Sequence, residues 1–141
     1  MTRENLKNLA KINQLKAEPP DQREFDGMVR SATVRLIDAK NSTLSRDSRF
    51  DLAYNAAHSL ALAALRRCGY RSDKRYLVFQ CLPHTLGFNA AKTRVFSLCH
   101  DKRNLSEYEG YLEIDEQLLE ELLLLTQELL DLVKGLGPIK P

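Results

Sequence analysis

His100, Arg103, Asn104 and Tyr108 fall within the short stretch "CHDKRNLSEYEGY" (99–111) and bring together an imidazole, a guanidinium, an amide and a phenol. On a helix, His100, Asn104 and Tyr108 lie at i, i+4 and i+8 along one line. Arg103 stands on the next line, three residues after His100 and four before Glu107. Such a set suits phosphate chemistry. A guanidinium grips phosphate bidentately, and an imidazole titrates near neutrality. Cleavage of RNA by its own 2′-hydroxyl needs a cation for the phosphate, a proton acceptor and a proton donor. The phenol is the weak member, because an ordinary tyrosine titrates near pH ~10 and is a poor base. The plainer reading of Arg103 is an ion pair with Glu107, worth roughly a few tenths of a kcal/mol on a helix surface. A cation near a helix C-terminus is also favoured by the macrodipole.

A second set lies in "FDLAYNAAHSLALAALRRCGYR" (50–71), where Asp51, Asn55 and His58 follow at i, i+4 and i+7. They share a face that runs on into Leu62 and Leu65, so they belong at the edge of a core, where their polar groups need partners. They either line a groove with Arg103 or form a structural hydrogen-bond network. The opposite stripe, Tyr54, Ala57, Ala61, Ala64 and Cys68, is mostly small and favours close helix packing over a cofactor cavity. His84, in "PHTLG", reads as a loop-to-helix hydrogen-bonding residue. The three histidines and three cysteines lack zinc-site spacing. No glycine-rich phosphate loop, G-x-S-x-G elbow or H-E-x-x-H pair occurs. No metal or cofactor is expected.

The elements that must position these groups are helices. Leu and Ala dominate the apolar residues while Val and Ile are few, and no stretch alternates as a strand does. Residues 3–17 carry Leu6, Leu9, Ile12 and Leu15 at helical spacing, ended by "EPP". "DQRE" (21–24) is a capping box opening a helix over about 21–41, which buries Phe25, Met28, Val29, Ala32, Leu36 and Ile37. "SRFD" (48–51) has the same spacing and opens a helix to Cys68, stopped by Gly69 in the left-handed conformation. A further helix starts at Ser72 or Asp73 and is ended or kinked by Pro83. Residues 89–107 are periodic through Ala91, Val95, Leu98 and Cys99, and "EGY" (109–111) interrupts them. Asp115 caps a last helix with one stripe of Leu118, Leu122, Leu125, Leu129 and Leu132. Leu119, Leu123, Leu130 and Val133 lie beside it, and Gly135 stops it. Two adjoining stripes exceed what one packed face needs. The helix is either deeply buried or shares a face with a second copy of the chain. The expectation is one all-α domain over 1–141, an up-and-down bundle of five to six helices.

Composition narrows the partners. Residues 1–103 hold 19 Lys and Arg against 10 Asp and Glu, whereas residues 104–133 hold 9 acids and no Lys or Arg. A basic body with an acidic last helix offers a surface to a phosphate-bearing partner, or merely solvates both faces. The apolar runs "LALAAL" and "LLLL" are far too short to span a bilayer, and residues 1–17 carry no apolar leader-like stretch. Three cysteines, odd in number, widely spaced and without a C-x-x-C pair, fit a reducing, cytoplasmic setting.

"AYNAAHSLALAALRRCGYRS", "LPHTLG" and "KRNLSEYEG" together resemble the HEPN family over about residues 22–133, with residues 3–17 as an extra helix. The resemblance implies a small prokaryotic helical bundle, commonly a homodimer, associated with toxin–antitoxin and defence systems. It implies an RNA- or nucleotide-binding cleft, a metal-independent endoribonuclease activity, and an antitoxin or nucleotidyltransferase-like partner. The family motif, an Arg followed by four to six residues and then a His, commonly with a polar residue right after the Arg, matches Arg103 and Asn104. The His position is Tyr108, which implies weak or no cleavage unless His100 substitutes. Arg103, Tyr108 and His100 are then the catalytic candidates, with Asn104, Asp51, Asn55 and His58 lining the cleft. A non-catalytic dimeric interaction module is the alternative.

Overall fold

The computed structural model describes residues 2–111 and 113–139, with side chains described from residue 4. Among these residues the chain forms seven helices and one two-residue β pairing, an all-α bundle. No described helix is long and apolar enough to cross a membrane. Of the expected tail, Lys140 and Pro141 lie outside the described residues.

Helix α1 is Thr2–Lys11, and β1 is Lys16–Ala17. The single helix expected over 3–17 therefore stops early. Asn13 turns into the left-handed region at φ 61°, and the N–H groups of Gln14 and Leu15 both return to the carbonyl of Leu9. That turn swings Leu15 into the core and leaves Ile12 exposed. β1 pairs antiparallel with β2, Tyr70–Arg71, Lys16 opposite Arg71. Two residues are too few to show an alternation in sequence.

Helix α2 is Gln22–Ala39, and the Asp21 side chain accepts from the N–H of Glu24 at 3.0 Å. Such a cap contributes about 1 kcal/mol. Glu24 does not reach back to complete the box; it turns to Arg66 and Arg71 instead. Phe25, Ala32, Leu36 and Ala39 form the buried stripe, and Ile37, expected inside, faces solvent one residue off that line.

Helix α3, Arg46–Arg67, is the central post, packed on α2 and α7 and, beyond them, on α4, α5 and α6. It starts earlier than "SRFD" suggests. Ser45 is the cap, its Oγ accepting from the N–H of Ser48 at 3.1 Å. Phe50, Ala53, Tyr54, Ala57, Leu60, Ala61 and Ala64 are all buried, so its alanines let neighbouring helices approach closely. Gly69 ends the segment at φ 92°.

Next come α4 (Arg75–Gln80) and α5 (Leu82–Thr85). Pro83 does not end the first of these; it sits in the first turn of the second, where its missing N–H costs nothing. Helix α6 is Ala90–Glu109, capped by the side chain of Asn89 and closed by Gly110 at φ 78°. Its buried line is Thr93, Phe96, Ser97 and Cys99, whereas Ala91 and Leu98 are exposed. Helix α7, Glu116–Lys134, is capped by Asp115, whose Oδ1 accepts from the N–H of Leu118 at 2.7 Å. Leu119, Leu122, Leu125, Leu129, Leu130 and Val133 are buried, so both stripes feed one core and only Leu124 and Leu132 stand out of it. Gly135 follows in right-handed geometry, not as a left-handed stop.

Candidate functional site

Helices α3, α4 and α6 converge near the start of α3, and Tyr54 is the hub of that convergence. It is 1% exposed. Its hydroxyl is 2.9 Å from Nδ1 of His100 on α6. Two guanidiniums lie over its ring, that of Arg103 from α6 at 5.1 Å from the centroid and that of Arg75 from α4 at 5.7 Å. Burial raises the Tyr54 pKa above its usual value, opposed by the two arginines. Sequence reading assigned Tyr54 to the small-residue packing stripe and did not single out Arg75. A lone aromatic among alanines was the available signal.

The structure brings Asp51, Asn55, His58, His100, Arg103 and Asn104 to this hub. Asp51 Oδ1 lies 3.4 Å from Nε of Arg103, and Glu107 Oε1 lies 4.0 Å from its Nη1. Both contacts are longer than a good charge-assisted bond. The Arg103 side chain keeps 30% of its surface open. Asn55 donates from its amide to the Asp51 carbonyl at 2.9 Å and accepts from Nη1 of Arg75 at 3.0 Å. Among the described residues no carboxylate comes within 4.0 Å of Arg75. Its partners are an amide and an aromatic face, neither of which cancels its charge.

His100 is held at both ring nitrogens. Nδ1 meets the Tyr54 hydroxyl, and Nε2 meets the Asn104 amide at 3.0 Å. Burial lowers its pKa; the neighbouring Asp101 carboxylate opposes this, and Arg75 and Arg103 add to it. His58 packs its ring edge-on to Phe79, with Nε2 buried and no hydrogen-bond partner among the described residues. Burial first, then Arg75, His100 and Arg103, hold its pKa down at about 4. Both imidazoles are thus neutral near pH 7. The cluster is part-buried, with two guanidiniums over one ring and a neutral, oriented imidazole at its edge.

Tyr108 is not drawn into this arrangement. It stands 89% exposed on the last turn of α6. His84 sits elsewhere, its Nδ1 accepting from the Asn5 amide at 3.3 Å across α5 and α1. The thiols of Cys81 and Cys99 are buried, which pushes their pKa values to about 11 and about 12 and keeps them unreactive. No group of three or more His, Cys, Asp or Glu among the described residues is placed to hold a metal ion.

Comparison of the chain with protein-family models, with curated proteins and with solved structures gives no match in any of the three.

Proposed function

We propose that the Arg75–Arg103 cluster binds the phosphate of an RNA strand or nucleotide, in keeping with the HEPN resemblance of the sequence. One observation carries this reading: two guanidiniums converge on one buried tyrosine, and among the described residues only two carboxylates come within 4.0 Å of them, neither closer than 3.4 Å. An anion arriving there competes with two loosely held carboxylates for Arg103 and meets Arg75, which no described carboxylate approaches within 4.0 Å. Asp51 and Glu107 hold Arg103 in place until phosphate displaces them. Arg75 supplies the second cation, and Asn104 orients His100.

If the bound RNA is cut, the 2′-hydroxyl displaces the Asn104 amide from Nε2 of neutral His100 and gives its proton there as its oxygen attacks phosphorus. The leaving 5′-oxygen takes a proton from water, and no metal takes part. Tyr108 stands outside the cluster, on the last turn of α6. A phenol at that position is a weak proton-transfer partner, so the reading is binding with slow or absent cleavage. A toxin-type role, with an antitoxin or nucleotidyltransferase-like partner, follows from the same resemblance.

A second reading is favoured by the exposed side chains Leu98, Leu105 and Tyr108, which follow at i, i+7 and i+10 along α6. They give a non-catalytic module a face for a second copy of the chain.

The test is RNA binding and cleavage in the presence of a chelator. Wild type binds, and Arg75→Ala and Arg103→Ala each bind about tenfold or more weakly, the usual scale for one lost charged contact. Tyr108→His cleaves no faster than wild type, because position 108 lies outside the cluster. RNA binding unaffected by either arginine substitution contradicts the phosphate reading and leaves the interaction module.

A further inference from the structure

A groove of about 490 Å³ lies between α4, α5 and α6, and Tyr76 both lines it and touches His100 of the arginine cluster. The Tyr76 ring leans on His100, centroids 5.9 Å apart, and also lines the groove while keeping 49% of the residue exposed. An aromatic face at that boundary is open to a partner.

The groove is built from polar groups on a rigid floor. Below it Phe79 stacks on Phe96 with centroids 5.4 Å apart and planes within 8°, which fixes α4 against α6. Gln80 spends its amide N–H on Oγ of Ser97 at 2.8 Å, and among the described residues nothing donates to its carbonyl oxygen. Arg94 and Asp101 line the groove two turns apart on α6. Among the described residues no carboxylate comes within 4.0 Å of Arg94 and no cation within 4.0 Å of Asp101. The groove therefore offers a stacking face, acceptors at Gln80 and Asp101, and an uncommitted cation at Arg94.

We infer that this groove is a base-binding subsite for single-stranded RNA. It rests on the phosphate reading of the neighbouring cluster. One unstacked nucleobase lies on Tyr76, its amino or ring N–H groups meeting Gln80 and Asp101. One flanking phosphate sits on Arg75 and Arg103, and the other meets Arg94. Stacking on an exposed aromatic and reading of an unpaired base edge are the usual means of single-strand recognition. The surface that does so here is continuous with the cationic cluster through a single ring.

Fluorescence anisotropy with a short labelled single-stranded RNA tests it, alongside inorganic phosphate followed through the His100 imidazole resonances. Tyr76→Ala weakens RNA binding about tenfold, and Tyr76→Phe leaves it near wild type. Arg94→Ala reduces the slope of log affinity against log salt by about one. Inorganic phosphate still shifts His100 in all three variants. If Tyr76→Ala and Arg94→Ala bind RNA as wild type does while Arg103→Ala does not, the base subsite is wrong and the phosphate site stands. If wild type binds no RNA, or binds it regardless of Arg75 and Arg103, both fall.

Discussion

Arg66 and Arg103 are both anchored against helix α3, roughly four turns apart along it, and the protein treats them in opposite ways. Arg66 is 2% exposed and saturated. Its Nε meets Glu24 at 2.6 Å, Nη1 donates to the Glu18 and Tyr70 carbonyls, and Nη2 donates to the Pro19 carbonyl at 2.7 Å. Arg71 grips the same Glu18 and Glu24 from the other side, and its hydrogen bond is the main cause of the lowered Glu18 pKa. That network staples β1, the start of α2 and the end of α3. Arg103 and Arg75, by contrast, have long or neutral partners and an open side. The contrast teaches that the charge of an arginine says little about its role. What distinguishes the two is how many of its five donors the protein has already used.

The comparison breaks most visibly through stability. Arg66→Ala leaves two carboxylates sharing one arginine and three carbonyls without a donor, and the expected loss is about 3 kcal/mol or more in urea unfolding. Arg75→Ala and Arg103→Ala lose less than about 1 kcal/mol in the same measurement, as partly exposed pairs do. Equal losses at all three positions would erase the distinction between staple and site.

A pH effect of similar size belongs to His58. Its folded pKa of about 4 lies below the ordinary 6.5, so between these values the unfolded chain binds a proton that the folded chain does not. Stability therefore falls as pH drops through that window, by roughly 3 kcal/mol in all. His58→Leu flattens this part of the stability profile; an unchanged profile would show that His58 is not the buried neutral group described.

Much of the fold was legible because caps and periodicity are local. Asp21, Asp115 and Gly69 sit where their residue types predict. What was not legible is tertiary. Ile12 and Ile37 fit a helical period yet face water, because the chain turns at Asn13 and because the buried face of α2 is narrower than its apolar count suggests. The two-residue β pairing depends on residues more than fifty positions apart. At the site, Asp51, Asn55, His100, Arg103 and Asn104 follow from helical spacing together with the HEPN resemblance, and they do meet in space. Arg75 and Tyr76 stand out in the sequence only as part of a basic and aromatic run over 66–79 that could touch phosphates, and nothing there joins them to Arg103, since α4 carries no internal pattern that points toward α6. Tyr108 follows from the family motif, and its place on the last turn of α6 leaves it exposed and outside the cluster.

His100 reports on the central claim most directly, because its pKa is already held low by burial and by the two arginines. An NMR titration of its imidazole with and without inorganic phosphate measures the charge that the pocket lacks. Bound phosphate stabilises the imidazolium, so the pKa rises on addition and, by linkage, phosphate binds more tightly as pH falls through that range. Arg103→Ala abolishes the rise. A His100 titration curve indifferent to saturating phosphate would contradict the account.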